Sequence, residues 1–308
     1  MKDRIYKPHP GIIEKQSTIY LALEQYLNER GMPSFQHDPI THSLLGASKY
    51  IRSIFMLQIF ESFGKDWKKY VNICVPFEIL HTATLIHDDL PSMDNANKRR
   101  GRESCHIKYG EAAAVLAGDF LFADSLRYFI TSARNINLSN ARIVEIVSIL
   151  STGLSDITAG QALELYLKFH TVSIDDCFEI IKKKTACFFQ MCFKICGITM
   201  EIKRKKLEIL AEAGNYIGIA FQLTDDVLDL YGAEKNEGKN IGADGRNGIR
   251  TIPAIEGLDR TLEYINSATG KAVSILNKVI SDQSPVLHAL NYAITNRLPH
   301  YDVFADAK

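Results

Sequence analysis

Two apolar stretches that each end in a knot of aspartates constrain this chain more than any other feature. The first, HTATLIHDDLPSMDNANKRRGR (81–102), reads as a helix running into Asp88 and Asp89 and stopped by Pro91. Asp94 follows, then the basic run Lys98, Arg99, Arg100 and Arg102. The second, GIAFQLTDDVLDLYG (218–232), carries Asp225, Asp226 and Asp229. Helical spacing puts Asp225 and Asp229 one turn apart on one face, with Asp226 beside them. Like charges at that spacing repel, and buried carboxylates without partners are costly. A solvated acidic helix end accounts for either stretch alone. The pair suggests two walls of one cavity holding a metal-bridged diphosphate. Few hard oxygen ligands suit Mg²⁺, which takes its remaining ligands from water and phosphates. Neighbouring arginines suit the phosphates themselves.

An apolar cavity wall needs a large core around it, and 308 residues with 46% hydrophobic content supply one. No linker or low-complexity tract divides the chain, so residues 1–308 read as a single domain. Lys+Arg and Asp+Glu balance at 36 each, which argues against a nucleic-acid partner. Six cysteines form no CxxC pair and no zinc spacing. The N-terminus lacks a signal-peptide pattern, and no apolar run reads as a transmembrane segment. The expectation is a soluble, cytoplasmic protein.

Apolar positions recur near 3.6 residues almost throughout, predicting an all-α fold of about ten helices. Helices are expected at 11–30, 41–63, 69–90, 110–129, 138–168, 173–198, 203–231, 254–282 and 285–297, with a loop holding Pro33 and Pro39. GASKYIRS (46–53) opens the second helix and puts Lys49 and Arg52 on one face, either as solvated charges or as a second phosphate site. His81 faces the same way as Asp88; a lone helical histidine is usually structural. Lys182, Lys183 and Lys184 read first as a solvated run. The glycine-rich segment 231–253 is a mobile loop or a phosphate cradle.

Taken together, GASKYIRS, the two aspartate motifs, YGEAAAVLAGD, GQALEL, KKKT and GKNIGAD resemble, in the same order, the trans-isoprenyl diphosphate synthases, which include farnesyl and geranylgeranyl diphosphate synthases. The resemblance implies a helical bundle around a deep central cavity, as a homodimer. It also implies head-to-tail condensation of isopentenyl diphosphate with an allylic diphosphate (dimethylallyl, geranyl or farnesyl), using two or three Mg²⁺. It implies Asp88, Asp94 and Asp225 as metal ligands, supported by Asp89, Asp226 and Asp229. It gives Arg99 to the allylic diphosphate and Lys49, Arg52, His81 and Arg100 to isopentenyl diphosphate. Lys184, Thr185, Gln222 and Lys239 are expected to close around the allylic site.

Departures from the family pattern are Tyr50, Ser53, Glu164 and Ile249, the last standing where a lysine is usual, with Arg250 after it. The family sets product length with side chains five and four residues before the first aspartate, here Ala83 and Thr84. Small residues there favour geranylgeranyl diphosphate. Farnesyl diphosphate, a catalytically weak partner subunit and a terpene cyclase are the competing readings.

Overall fold

A computed structural model describes residues 8–231 and 250–298, and these are almost entirely helical. In chain order the helices are α1 (Pro10–Arg30), α2 (Ser34–Leu44), α3 (Ile51–Ser62), α4 (Val71–Asp88), α5 (Cys105–Tyr109), α6 (Glu111–Asn135), α7 (Asn140–Leu167), α8 (Ile174–Ile181), α9 (Cys187–Thr199), α10 (Arg204–Tyr231), α11 (Ile252–Glu256), α12 (Leu258–Leu276) and α13 (Pro285–Ala293). Short 3₁₀ turns precede α4 and follow α13. One hairpin, β1 (Lys98–Arg99) and β2 (Arg102–Glu103), interrupts them.

Helix ends follow local chemistry. Pro10 starts α1, and Gly31 ends it in the left-handed conformation. Ser173 and Asp176 form a reciprocal capping box on α8. α4 lies along α6, and α10 lies along α9 and α12. Their aromatic contact surface includes Phe55, Phe189 and Phe221, with ring centroids 5.7 and 5.3 Å apart along that series. All six cysteines are free.

Four expectations change. The predicted helix over 41–63 is two helices, because the chain turns through Leu45–Tyr50 and Tyr50 adopts a left-handed φ of 48°. The expected loop around Pro39 is helical instead. Pro39 leaves the Phe35 carbonyl without its helical donor, and Phe35 lies in an exposed first turn. The predicted helix over 173–198 contains a π turn at Lys182–Ala186. The C-terminal segments also break, at Gly257 and after Leu276.

Glycines fix the π turn from two sides. A Cβ on Gly160 of α7 would lie 2.8 Å from the Lys184 backbone nitrogen. A Cβ on Gly218 of α10 would lie 2.4 Å from Ala186 Cα. Bare backbone at both positions lets α7 and α10 clamp the turn.

By length and hydropathy alone, α7 is long and apolar enough to cross a membrane, which the sequence reading did not anticipate. It packs one face on α9 and the π turn, and a third of its apolar window is buried.

Candidate active site

α4 supplies the first wall. Along its buried C-terminal half, His81, Thr84, Leu85 and Asp88 are only half-buried. Their spacing is i, i+3, i+4 and i+7, so one stripe of an otherwise packed helix is open. Ala83 is fully buried, off that stripe. Of the two positions expected to govern product length, Thr84 faces the opening and Ala83 does not.

Asp88 ends the stripe. Desolvation pushes its carboxyl up to about 6, with Asp94 and Glu164 reinforcing the shift and Lys184 and Arg99 opposing it. The Asp94 backbone N–H donates to the Asp88 carbonyl at 2.9 Å, so the turn after Pro91 folds Asp94 back beside Asp88. Asp94 Oδ1 is buried and accepts no hydrogen bond; Lys168 Nζ stands 3.5 Å away. A buried carboxylate oxygen without a hydrogen bond is suited to a cation.

Asp89 is spent differently. It is 2% exposed and takes a forked hydrogen bond from Arg99, with Nε 2.9 Å from Oδ1. Asp89, expected in a supporting role at a metal, is paired here with Arg99. The adjacent pocket, lined by His42, Ser43, Asp89, Arg99 and Arg100, encloses about 30 Å³, the space of a water. The basic run is a two-residue hairpin turn. Arg100 and Gly101 have φ of 54° and 77°, and Arg99 pairs across the strands with Arg102.

Arg52 and Arg100 both lie in the field of Glu78, a carboxylate 3% exposed within α4. Desolvation lowers the pKa of both guanidinium groups, and Glu78 is the leading influence that raises it. Glu78 also accepts the Ser53 backbone N–H at 3.0 Å. Arg52 lies over the Phe188 ring at 4.6 Å, and His81 meets the same ring edge-on. Lys49 precedes α3 rather than lying within it. It is exposed in the α2–α3 turn and not on a helical face with Arg52. Glu78 had a sequence signal, a lone charge in the apolar run VPFEIL.

The π turn joins the walls. Its extra residue per turn aims successive side chains into the site, where such turns recur. Lys184 reaches Glu164 of α7 at 2.6 Å. Desolvation alone would lower its pKa, but Glu164, Asp88 and Asp94 hold it above the ordinary lysine value. Thr185 Oγ1 donates to Gln222 Oε1 at 2.7 Å, and Gln222 Nε2 donates to Asp226 Oδ1 at 2.8 Å. A hydrogen-bonded relay thus runs from Thr185 through Gln222 to Asp226, while the neighbouring Lys184 lies in the field of Asp88 and Asp94. Asp225 carries an ion pair with Arg297, 2.5 Å away, from the 3₁₀ turn after α13. Neither Lys168 nor Arg297 belongs to a motif, and sequence reasoning missed both. Lys239 and Ile249 lie outside the described residues; Arg250 is exposed, its carbonyl accepting from Cys177 Sγ.

Among the described residues, no three His, Cys, Asp or Glu side chains form a ready-made metal cage. Two carboxylate walls, a guanidinium cluster and an apolar stripe between them form a site for anionic substrates with apolar tails.

Known proteins show the same arrangement of sequence and fold. The polyprenyl synthetase family model matches residues 34–284. The chain is 32% identical to a farnesyl diphosphate synthase of Bacillus subtilis over 80% of its length and 84% of that protein. It is also 32% identical to a geranylgeranyl diphosphate synthase of Cyanophora paradoxa, covering 78% of this chain and 82% of that one. A Helicobacter pylori geranyltransferase, solved with magnesium and isoprenyl diphosphate, superposes with a TM-score of 0.77 and 25% identity over 96% of this chain and 99% of that one. The chain belongs to the polyprenyl synthetase family and is a trans-prenyltransferase of the farnesyl and geranylgeranyl diphosphate synthase kind.

Proposed function

We propose that the chain joins isopentenyl diphosphate head-to-tail to an allylic diphosphate and releases geranylgeranyl diphosphate. The observation that carries this reading is the π turn, whose Lys184 pairs with Glu164 in the field of Asp88 and Asp94 and whose Thr185 bonds through Gln222 to Asp226. An allylic diphosphate lying between those walls meets carboxylates fit for Mg²⁺ and a lysine fit for phosphate. Bound Mg²⁺ would neutralise the diphosphate as it departs. Asp88, Asp94 and Asp225 would hold the ions, with Asp226 and Asp229 behind them.

The rest follows from this chain's own side chains. Lys184, held 2.6 Å from Glu164, would supply a positive charge to the departing diphosphate. Thr185 and Gln222 would offer oxygen dipoles to the developing allylic cation, and the apolar stripe would keep water off it. Arg52, Arg100 and His81 would hold isopentenyl diphosphate so that its double bond faces that carbon. Once the new C–C bond forms, a proton must leave the adjacent carbon, and the departed diphosphate would accept it. Incubation with both substrates, read by mass spectrometry, tests the whole reading.

The open stripe of α4 supports the choice of product. Thr84 is small enough to let the growing chain pass, and Ala83 adds no bulk behind it. Thr84→Phe is expected to shorten the main product by at least one five-carbon unit, read by mass spectrometry. An unchanged product would put the floor elsewhere.

The shift on Asp88 gives a pH dependence. Its carboxyl keeps a proton up to about pH 6 in the folded, metal-free chain. The folded pKa lies above the ordinary aspartate value, so this group favours the fold at low pH. That contribution is lost as pH rises through 6. Ligating a cation requires the opposite state. Mg²⁺ affinity is therefore expected to fall, up to about tenfold per pH unit, as pH drops below 6. Calorimetric titrations at pH 5 and 7 check this, and equal affinities would contradict it.

We take residues 1–308 as one domain, supported by a single apolar core that runs from α1 to the turn after α13. A homodimer is supported by Val115 and Leu116, which α6 presents to solvent. Free cysteines throughout support a reducing compartment such as the cytoplasm.

A further inference from the structure

We propose that Lys168 and Arg297 are built-in counter-cations. They occupy the two aspartate walls while divalent ions are absent, give way when the ions load, and so set the metal affinity of the site. This inference rests on the reading of those walls as the metal site.

The two cations mirror each other. Lys168 caps the C-terminus of α7, is 11% exposed, and places Nζ 3.5 Å from Asp94 Oδ1 and 3.4 Å from the Met93 carbonyl. Arg297 lies in the turn after α13, is 9% exposed, and reaches Asp225 Oδ1 at 2.5 Å while its guanidinium covers the Phe221 ring at 5.3 Å. Each wall thus receives one cation from an element that contributes no aspartate. Asp94 and Asp225 are the carboxylates that the metal reading assigns as ligands.

Charge balance explains why such cations would be present. Clustered carboxylates repel, and the fold must hold before any diphosphate brings in ions. A resident cation relieves that repulsion. It also stands where an ion would stand: Mg²⁺ binds oxygen at about 2.1 Å, and an ammonium or guanidinium on the same oxygen repels it. Loading therefore requires the side chain to swing away, and its ion pair is lost from the metal-bound state. The Arg99–Asp89 pair differs, because Asp89 is buried and doubly bonded, and it is not expected to open.

The test is Mn²⁺ binding to the full chain, followed by the loss of the free-ion electron spin resonance signal, with and without inorganic pyrophosphate. Lys168→Gln and Arg297→Gln are each expected to bind Mn²⁺ about three- to tenfold more tightly than the parent, as fits pairs at the upper end of partly exposed ion-pair energies. Arg297→Lys, which keeps the charge, is expected to stay near the parent. Metal-free melting temperatures should fall in both Gln variants, while the rise on adding Mn²⁺ should grow. A purely structural role would lower the melting temperature without tightening Mn²⁺. Unchanged or weaker Mn²⁺ binding in both Gln variants would overturn the proposal. So would absence of binding in every protein. Tighter binding in a chain that elongates no prenyl substrate would uphold this inference and overturn the proposed function instead.

Discussion

Asp88→Asn is expected to lower kcat by about a thousandfold, the scale of losing one preorganised electrostatic contact to a departing anion. The substitution keeps the shape of the side chain and removes only its charge. Asp88 sits where α4 ends, beside Asp94, with Lys184 and Glu164 across from it. Desolvation disfavours its charged form in the metal-free fold. The neutral amide should therefore leave metal-free stability at pH 7 unchanged or slightly improved. That split between activity and stability distinguishes a lost ligand from a damaged fold. Steady-state rates and thermal melts on the same preparation check it, and activity within tenfold of the parent would contradict the role given to Asp88.

Gly218→Ala should do the reverse and break the scaffold. A methyl group there would come within 2.4 Å of Ala186 Cα, and the obstacle is backbone that cannot rotate aside. α10 would have to retreat from the π turn. Overpacking of this kind costs about 3 kcal/mol or more. The retreat would also stretch the Thr185–Gln222–Asp226 relay. The variant is expected to unfold at clearly lower denaturant concentration and to lose activity along with stability. A melting temperature within a degree or two of the parent would show that α10 does not seat on the turn as described.

The sequence displayed much of this plainly, because its signals are local. Apolar periodicity, the two aspartate knots and Gly31 each act within a few residues, and each appears where expected. What stayed hidden depends on distant contacts. Nothing near Tyr50 marks it as left-handed, so the break between α2 and α3 was invisible. A lysine run such as Lys182–Lys184 reads as a solvated face whether its turn is α or π. The π geometry shows only when Gly160 and Gly218 press on it. Lys168 and Arg297 sit in no motif, and only the fold carries them to Asp94 and Asp225. Glu78 was the avoidable omission: a charge inside an apolar helix demands a partner, and Arg52 and Arg100 supply the field around it. Lys49 was the converse, assigned to a helix face that the chain does not build.

The central claim is prenyl elongation, and one measurement tests it most directly. The purified chain is given Mg²⁺, isopentenyl diphosphate and, in separate reactions, dimethylallyl, geranyl or farnesyl diphosphate, and product length is read by mass spectrometry. The account predicts elongation of the allylic primers, ending at the twenty-carbon diphosphate. No elongation from any primer, or hydrocarbon formed without consuming isopentenyl diphosphate, would contradict it.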